Sequence, residues 1–180
     1  MNRRTALVVA LLTSAALACS SMTIETHADP QASFSEFKTY NWMPNPRGVD
    51  RRVGPQVAAW IIEAVEGQLA AKGFEKLDEP DTDFKVGYQA AVQGTMEVSY
   101  VDSYYGYGVQ SWFRGGEQQQ SAARYYDKGS IVIDIVDSRA NRLVWRGVAE
   151  AEVDRQTDPE KLQERVREAV RKILADFPPY

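Results

Sequence analysis

The sequence predicts an α+β domain, an antiparallel or mixed β-sheet with two helices packed on one face. Three observations carry that expectation. Residues 129–153 alternate with period two on either side of a short polar turn, the pattern of a β-hairpin with one buried face. Residues 55–72 and 159–177 each repeat apolar positions at helical spacing. Residues 84–101 hold a third long alternation that runs into an aromatic, glycine-rich stretch, predicting a long hairpin with an aromatic tip.

The chain opens with a short basic stretch, Asn2-Arg3-Arg4, and a nearly wholly apolar run from Ala6 to Ala18. A bilayer span needs about 20 residues, so this run fits the apolar core of a secretory signal peptide instead. The single cysteine, Cys19, follows directly, in Ala16-Leu17-Ala18-Cys19. The motif resembles the bacterial lipoprotein signal. That resemblance implies that residues 1–18 are removed, that Cys19 carries the lipid, and that residues 19–180 form one membrane-anchored domain. Ser20 resembles the residue type that sends such proteins to an outer membrane, facing the periplasm. The alternative is a conventional signal peptide that leaves a free thiol, a liability in an oxidising compartment. Loss of residues 1–18 takes two of the 21 basic side chains and none of the 25 acidic ones, so a net charge of −4 becomes −6. An acidic domain without a basic run argues against a nucleic-acid or anionic-lipid surface, so the acyl chains, not the protein's charge, are expected to hold it to the membrane.

The domain then reads in order. Thr23 to His27 forms a short strand, broken at Asp29-Pro30. Phe34 to Trp42 is aromatic-rich and ends in a second strand, and residues 47–53 form a polar, basic linker. Pro55 opens the first helix, where its missing N–H costs nothing. Val57, Ala58, Ile61, Ile62, Val65 and Leu69 form its apolar stripe, and Gly73 is its cap. Phe74 starts a short connecting strand. Phe84, Val86, Tyr88, Ala90, Val92, Met96, Val98 and Tyr100 then share one parity. Fully extended, that run reaches about 60 Å, longer than ordinary strands, so Gly94 is expected to bend or bulge it. After the stretch from Asp102 to Ala123, Arg124-Tyr125-Tyr126 returns as a strand. In the hairpin that follows, Ile131, Ile133 and Ile135 oppose Val132, Asp134 and Val136. Leu143, Trp145, Gly147, Ala149, Ala151 and Val153 oppose Val144, Arg146, Val148, Glu150 and Glu152. The second helix opens at Asp158-Pro159 or through a Thr157/Glu160 capping box. Leu162, Val166, Ala169, Val170, Ile173 and Phe177 form its stripe, and Pro178-Pro179 stops it.

Catalytic chemistry finds little footing. The one histidine, His27, stands beside Asp29, and no metal site is expected. Asp134 and Asp137 fall on opposite strand faces and are assigned solvent and turn roles. No nucleophile elbow or phosphate-binding glycine pattern is present. Trp145 is read as core, Arg146 as exposed, and Gly147 as a bulge or a point of close helix packing. The expectation is therefore a protein without catalytic residues, metal or cofactor. The one segment with binding character is the aromatic stretch. Tyr100, Tyr104, Tyr105, Tyr107, Trp112, Phe113 and Arg114 form the candidate surface, because Tyr and Trp give large contact area at modest entropy cost. Membrane contact and aromatics folded back on the sheet are the competing readings.

Several pieces together resemble the bacterial lipoprotein family catalogued as domain of unknown function 4136. They are Phe34 with Tyr40-Asn41-Trp42, Lys72-Gly73-Phe74, Asp83-Phe84-Lys85-Val86-Gly87-Tyr88, Gly129 to Asp137, Leu143 to Gly147, and Phe177-Pro178-Pro179. The resemblance covers nearly all of the chain after Cys19. It implies an envelope lipoprotein and supplies no catalytic residue. The leading expectation is a non-enzymatic, lipid-anchored envelope protein that binds another envelope protein or a glycan. A periplasmic carrier of lipid or small molecules is the first alternative, and a hydrolase the second.

Overall fold

The computed structural model describes residues 22–43, 53–79, 81–91, 94–96, 124–126, 129–153 and 157–179. The signal segment, Cys19, residues 44–52, Asp127 and the candidate surface from Tyr100 to Arg114 lie outside the described residues. The elements in chain order are β1 (Met22–Ala28), β2 (Thr39–Trp42), α1 (Pro55–Ala71), β3 (Glu75–Lys76), β4 (Phe84–Ala91), β5 (Gly94–Met96), β6 (Arg124–Tyr126), β7 (Gly129–Asp137), β8 (Arg142–Ala151) and α2 (Pro159–Ile173). Single 3-10 turns stand at Phe34–Glu36 and Leu174–Asp176.

Six strands form one mixed sheet in the order β1-β8-β7-β4-β2-β3, and β5 pairs with β6 in a separate antiparallel ribbon. Neighbours from β1 to β4 are antiparallel, whereas β4/β2 and β2/β3 are parallel. The parallel pair β2/β3 is joined by α1, the crossover that such pairing needs. Both helices lie on one face of the sheet and share its core with Phe84, Val86, Tyr88, Ile133, Ile135 and Trp145. The expected α+β architecture is therefore present.

Helix ends follow from local chemistry. Gly73 adopts φ +87°, and the N–H groups of Gly73 and Phe74 donate to the carbonyls of Ala70 and Leu69. That is the paired closure for which glycine is favoured after a helix. At α2 the Asp158 carboxylate accepts from the Glu160 N–H at 2.9 Å with Pro159 in the first turn, so Asp158, not Thr157, is the cap. Asp137 closes the β7–β8 turn by accepting from the N–H groups of Arg139 and Ala140 at 2.8 and 2.9 Å.

The simple alternation fails at one point in the hairpin. Ile135 pairs with Trp145 but Val136 pairs with Leu143, so Val144 is the extra residue of a β-bulge. Val144 and Trp145 both enter the core under the helices, while Leu143 does not. Gly147 has the role of close helix packing. A Cβ there would stand 2.5 Å from the Ile173 Cγ2 methyl and 2.5 Å from the Trp145 ring.

Candidate functional site

Side-chain volume falls along the sheet from one end to the other. At the β7–β8 turn end the core is aromatic. Phe84 packs against Phe37, Tyr40, Phe74 and Phe177 with centroids 5.2 to 5.8 Å apart, and Phe177 packs against Trp145 at 5.3 Å. Toward the other end the same strands carry Ala90, Ala149, Ala151 and Gly129, and α2 carries Ala169. These small residues leave a half-open apolar pocket of about 70 Å³ under the first turns of both helices. Its rim is half-buried and formed by Met22, Val53, Val57, Val153, Leu162 and Arg165. The Arg165 guanidinium donates to the Glu152 carbonyl at 2.6 Å. Ligand pockets for drug-sized molecules are about 300–1,000 Å³, so this one holds the end of an apolar group, not a whole lipid. The carrier reading is motivated by the apolar parity from Phe84 to Tyr100; of it, Phe84, Val86, Tyr88 and Ala90 are buried in the core with both helices, and the side chains from Val92 to Tyr100 lie outside the described residues.

The sheet face away from the helices carries a buried ion pair. The Arg146 guanidinium donates from Nε to Asp134 Oδ1 at 2.5 Å and from its Nη2 to Oδ2 at 3.0 Å. Arg146 is 1% exposed and Asp134 0%. Two sequence expectations are corrected here: Arg146 is not a surface residue and Asp134 has no solvent role. The reason is register, because β7 and β8 set Asp134 directly beside Arg146. The turn alone, with Asp137 opposite Arg142, would set Asp134 beside Trp145; the bulge at Val144 shifts the register by one and brings Arg146 there, so the pair is not marked in the sequence. Val132 and Val148 are buried on the same face, next along the register. A carboxylate held bidentately by its own guanidinium is matched in charge and geometry, and is not poised as a base.

Two other carboxylates act as fasteners. Asp83 accepts from the N–H groups of Lys38 and Thr39 and from the Thr39 hydroxyl, each at 3.0 Å, and lies 3.4 Å from Arg139. Burial alone would raise its pKa, but these donors and the Arg139 charge outweigh it and hold the carboxyl below its usual value. Glu66 on α1 accepts from Lys76 at 2.7 Å and from the Trp42 indole at 2.8 Å, tying β2 and β3 to the helix. Its carboxyl is lowered too, burial being overcome by the bonds from Lys76 and Trp42 and by the Lys76 charge. Burial, with the Glu66 charge second, pushes the Tyr40 phenol up to about 12.

His27 stands in β1 beside Arg146, and Asp29 is buried and ion-paired with Arg142. Among the described residues no group of three or more His, Cys, Asp or Glu is placed to hold a metal ion. No described helix is long and apolar enough to cross a membrane. The residues proposed from sequence for binding, Tyr100, Tyr104, Tyr105, Tyr107, Trp112, Phe113 and Arg114, and the lipidation candidate Cys19 lie outside the described residues. The strands on either side of that segment are described: β5 and β6 set Gly94 opposite Tyr126 and Met96 opposite Arg124.

A family model described as "Domain of unknown function (DUF4136)" matches residues 24–179. No curated protein matches the chain. Among solved structures, the chain is similar to a PDZ domain protein from Parabacteroides distasonis, at 15% identity and a TM-score of 0.56 over 88% of this chain. The match covers 36% of that protein, so the chain spans about a third of its length, and the likeness is one of fold. Fainter likenesses are to a PelC dodecamer from Paraburkholderia phytofirmans, at 10% identity and a TM-score of 0.46 over 86% of this chain and 95% of that one, and to protein XCC0632 from Xanthomonas campestris, at 10% identity and 0.40 over 84% and 86%.

Proposed function

The chain belongs to the family of domains of unknown function DUF4136, and we propose that it is a lipid-anchored, non-enzymatic protein of the bacterial cell envelope. In this reading Cys19 carries the lipid after removal of residues 1–18, and the protein faces the periplasm from the outer membrane. It binds another envelope component, a protein or a glycan, through the aromatic stretch between Asp102 and Ala123. The observation that carries the reading is the β5–β6 pairing, which places Met96 beside Arg124. The chain between those two paired strands is rich in Tyr, Trp and Gly, and the described domain has an aromatic core of its own around Phe84. Binding loops on rigid scaffolds have this plan. The charged side chains that are buried support it as well, since Asp134 and Arg146 are engaged with each other.

Deletion of Tyr104 to Gln120 tests the reading. The shortened protein is expected to keep its thermal transition and to reproduce the envelope phenotype of a strain lacking the gene. A shortened protein that restores the wild-type phenotype overturns it.

A further inference from the structure

We propose that the alanine-lined end of the domain docks on the lipid bilayer, with the rim of its pocket against the membrane surface. The inference rests on the anchor at Cys19 proposed above. Met22 pairs with Ala151, Ala151 with Gly129, and Ser130 with Ala91. The start of β1, the end of β8, the start of β7 and the end of β4 therefore lie at one end of the sheet, with neighbouring strands about 4.8 Å apart. Both helices begin there too, since Val57 of α1 and Leu162 of α2 reach the same pocket as Met22.

Cys19 stands three residues before Met22, a span of at most about 11 Å. A lipid on Cys19 brings this end to the headgroups. The opposite end, at the Ser138–Asn141 turn, is separated from it by the ten residues of β8, about 30 Å at strand rise. The rim suits the surface it meets. Met22, Val53, Val57, Val153 and Leu162 offer half-buried apolar groups, and the Arg165 guanidinium, which donates to the Glu152 carbonyl, stands beside them on the same rim. The pocket is too small to withdraw a lipid, so the contact is a docking surface and not a carrier site. The β5–β6 ribbon starts within three residues of the same row, at Ala91 and Gly129.

The test uses the full lipidated protein in vesicles of phosphatidylethanolamine and phosphatidylglycerol that carry a nitroxide-labelled headgroup lipid. With Cys19 blocked by lipid, an introduced cysteine is the one free thiol. A fluorophore is placed by Leu162→Cys at the rim and, separately, by Arg139→Cys at the far turn, each checked for an unchanged thermal transition. The rim label is expected to lose most of its emission when the nitroxide lipid is present, and the far label to keep it. Equal emission loss at the two positions, or greater loss at 139, in protein that floats with the vesicles overturns the docking and leaves the anchor standing. Protein whose mass shows no lipid and which does not float overturns the anchor and the docking together.

Discussion

Replacing Asp134 by alanine removes one half of a bidentate ion pair in which the carboxylate is 0% and the guanidinium 1% exposed. The two hydrogen bonds, at 2.5 and 3.0 Å, are lost together. Arg146 keeps its charge in a site that water does not reach. Breaking a buried, hydrogen-bonded ion pair by removing one partner costs about 3–5 kcal/mol. A domain of this size loses about 2–4 °C of Tm per kcal/mol, so the transition is expected to fall by about 10 °C. Urea denaturation of Ser20–Tyr180, followed by tryptophan fluorescence, reads the cost directly. The double replacement Asp134→Leu with Arg146→Met is expected to recover most of it, because an apolar pair of similar volume carries no desolvation penalty. A cost below about 1 kcal/mol for Asp134→Ala is the value of an exposed pair, and would refute the burial argument.

Four further outcomes follow from packing, capping and charge. Gly147→Ala places a Cβ 2.5 Å from Ile173 and from Trp145, both fully buried, and is expected to destabilise by about 1–3 kcal/mol in the same denaturation assay. Asp158→Ala removes the cap of α2 and should cost about 1 kcal/mol, with Asp158→Ser restoring most of it. Asp83 has a folded-state pKa below its unfolded value, so its stabilisation is present above the unfolded value and is lost as pH falls through the folded one. Stability against pH is expected to show a shallower acid limb in Asp83→Asn than in the parent. The Tyr40 phenol has the opposite sign: its stabilisation is present below the ordinary value of 10.0 and is lost as pH rises toward about 12, and Tyr40→Phe is expected to flatten that alkaline limb.

Much of the architecture is legible in the sequence because it depends on periodicity and on local stop signals. The α1 stripe ends at a glycine that does adopt positive φ, and the α2 stripe begins at an aspartate that does cap. Arg124 to Tyr126 is readable as a returning strand, and it pairs with Gly94–Met96; the bend expected at Gly94 borders residues 92–93, which lie outside the described residues. Register is what alternation does not contain. The bulge at Val144 inverts the facing of Leu143, and nothing in the alternating pattern marks it. The same limit hides the Asp134–Arg146 pair. One face of the hairpin is apolar enough to be assigned to the core, so the charged residues of the other were assigned to water. That assignment holds only when the second face is exposed, and here Asp134, Arg146, Val132 and Val148 are all buried. The pocket is legible only after folding, because the small residues that create it come from three strands and a helix distant in the chain.

A photo-crosslinking amino acid placed at Tyr105 in the living bacterium tests the central claim most directly, by identifying what the aromatic stretch touches. The account predicts a discrete adduct with one envelope protein or glycan, lost when Trp112 and Phe113 are both replaced by alanine. Capture of phospholipid alone, or of nothing above background, would contradict it.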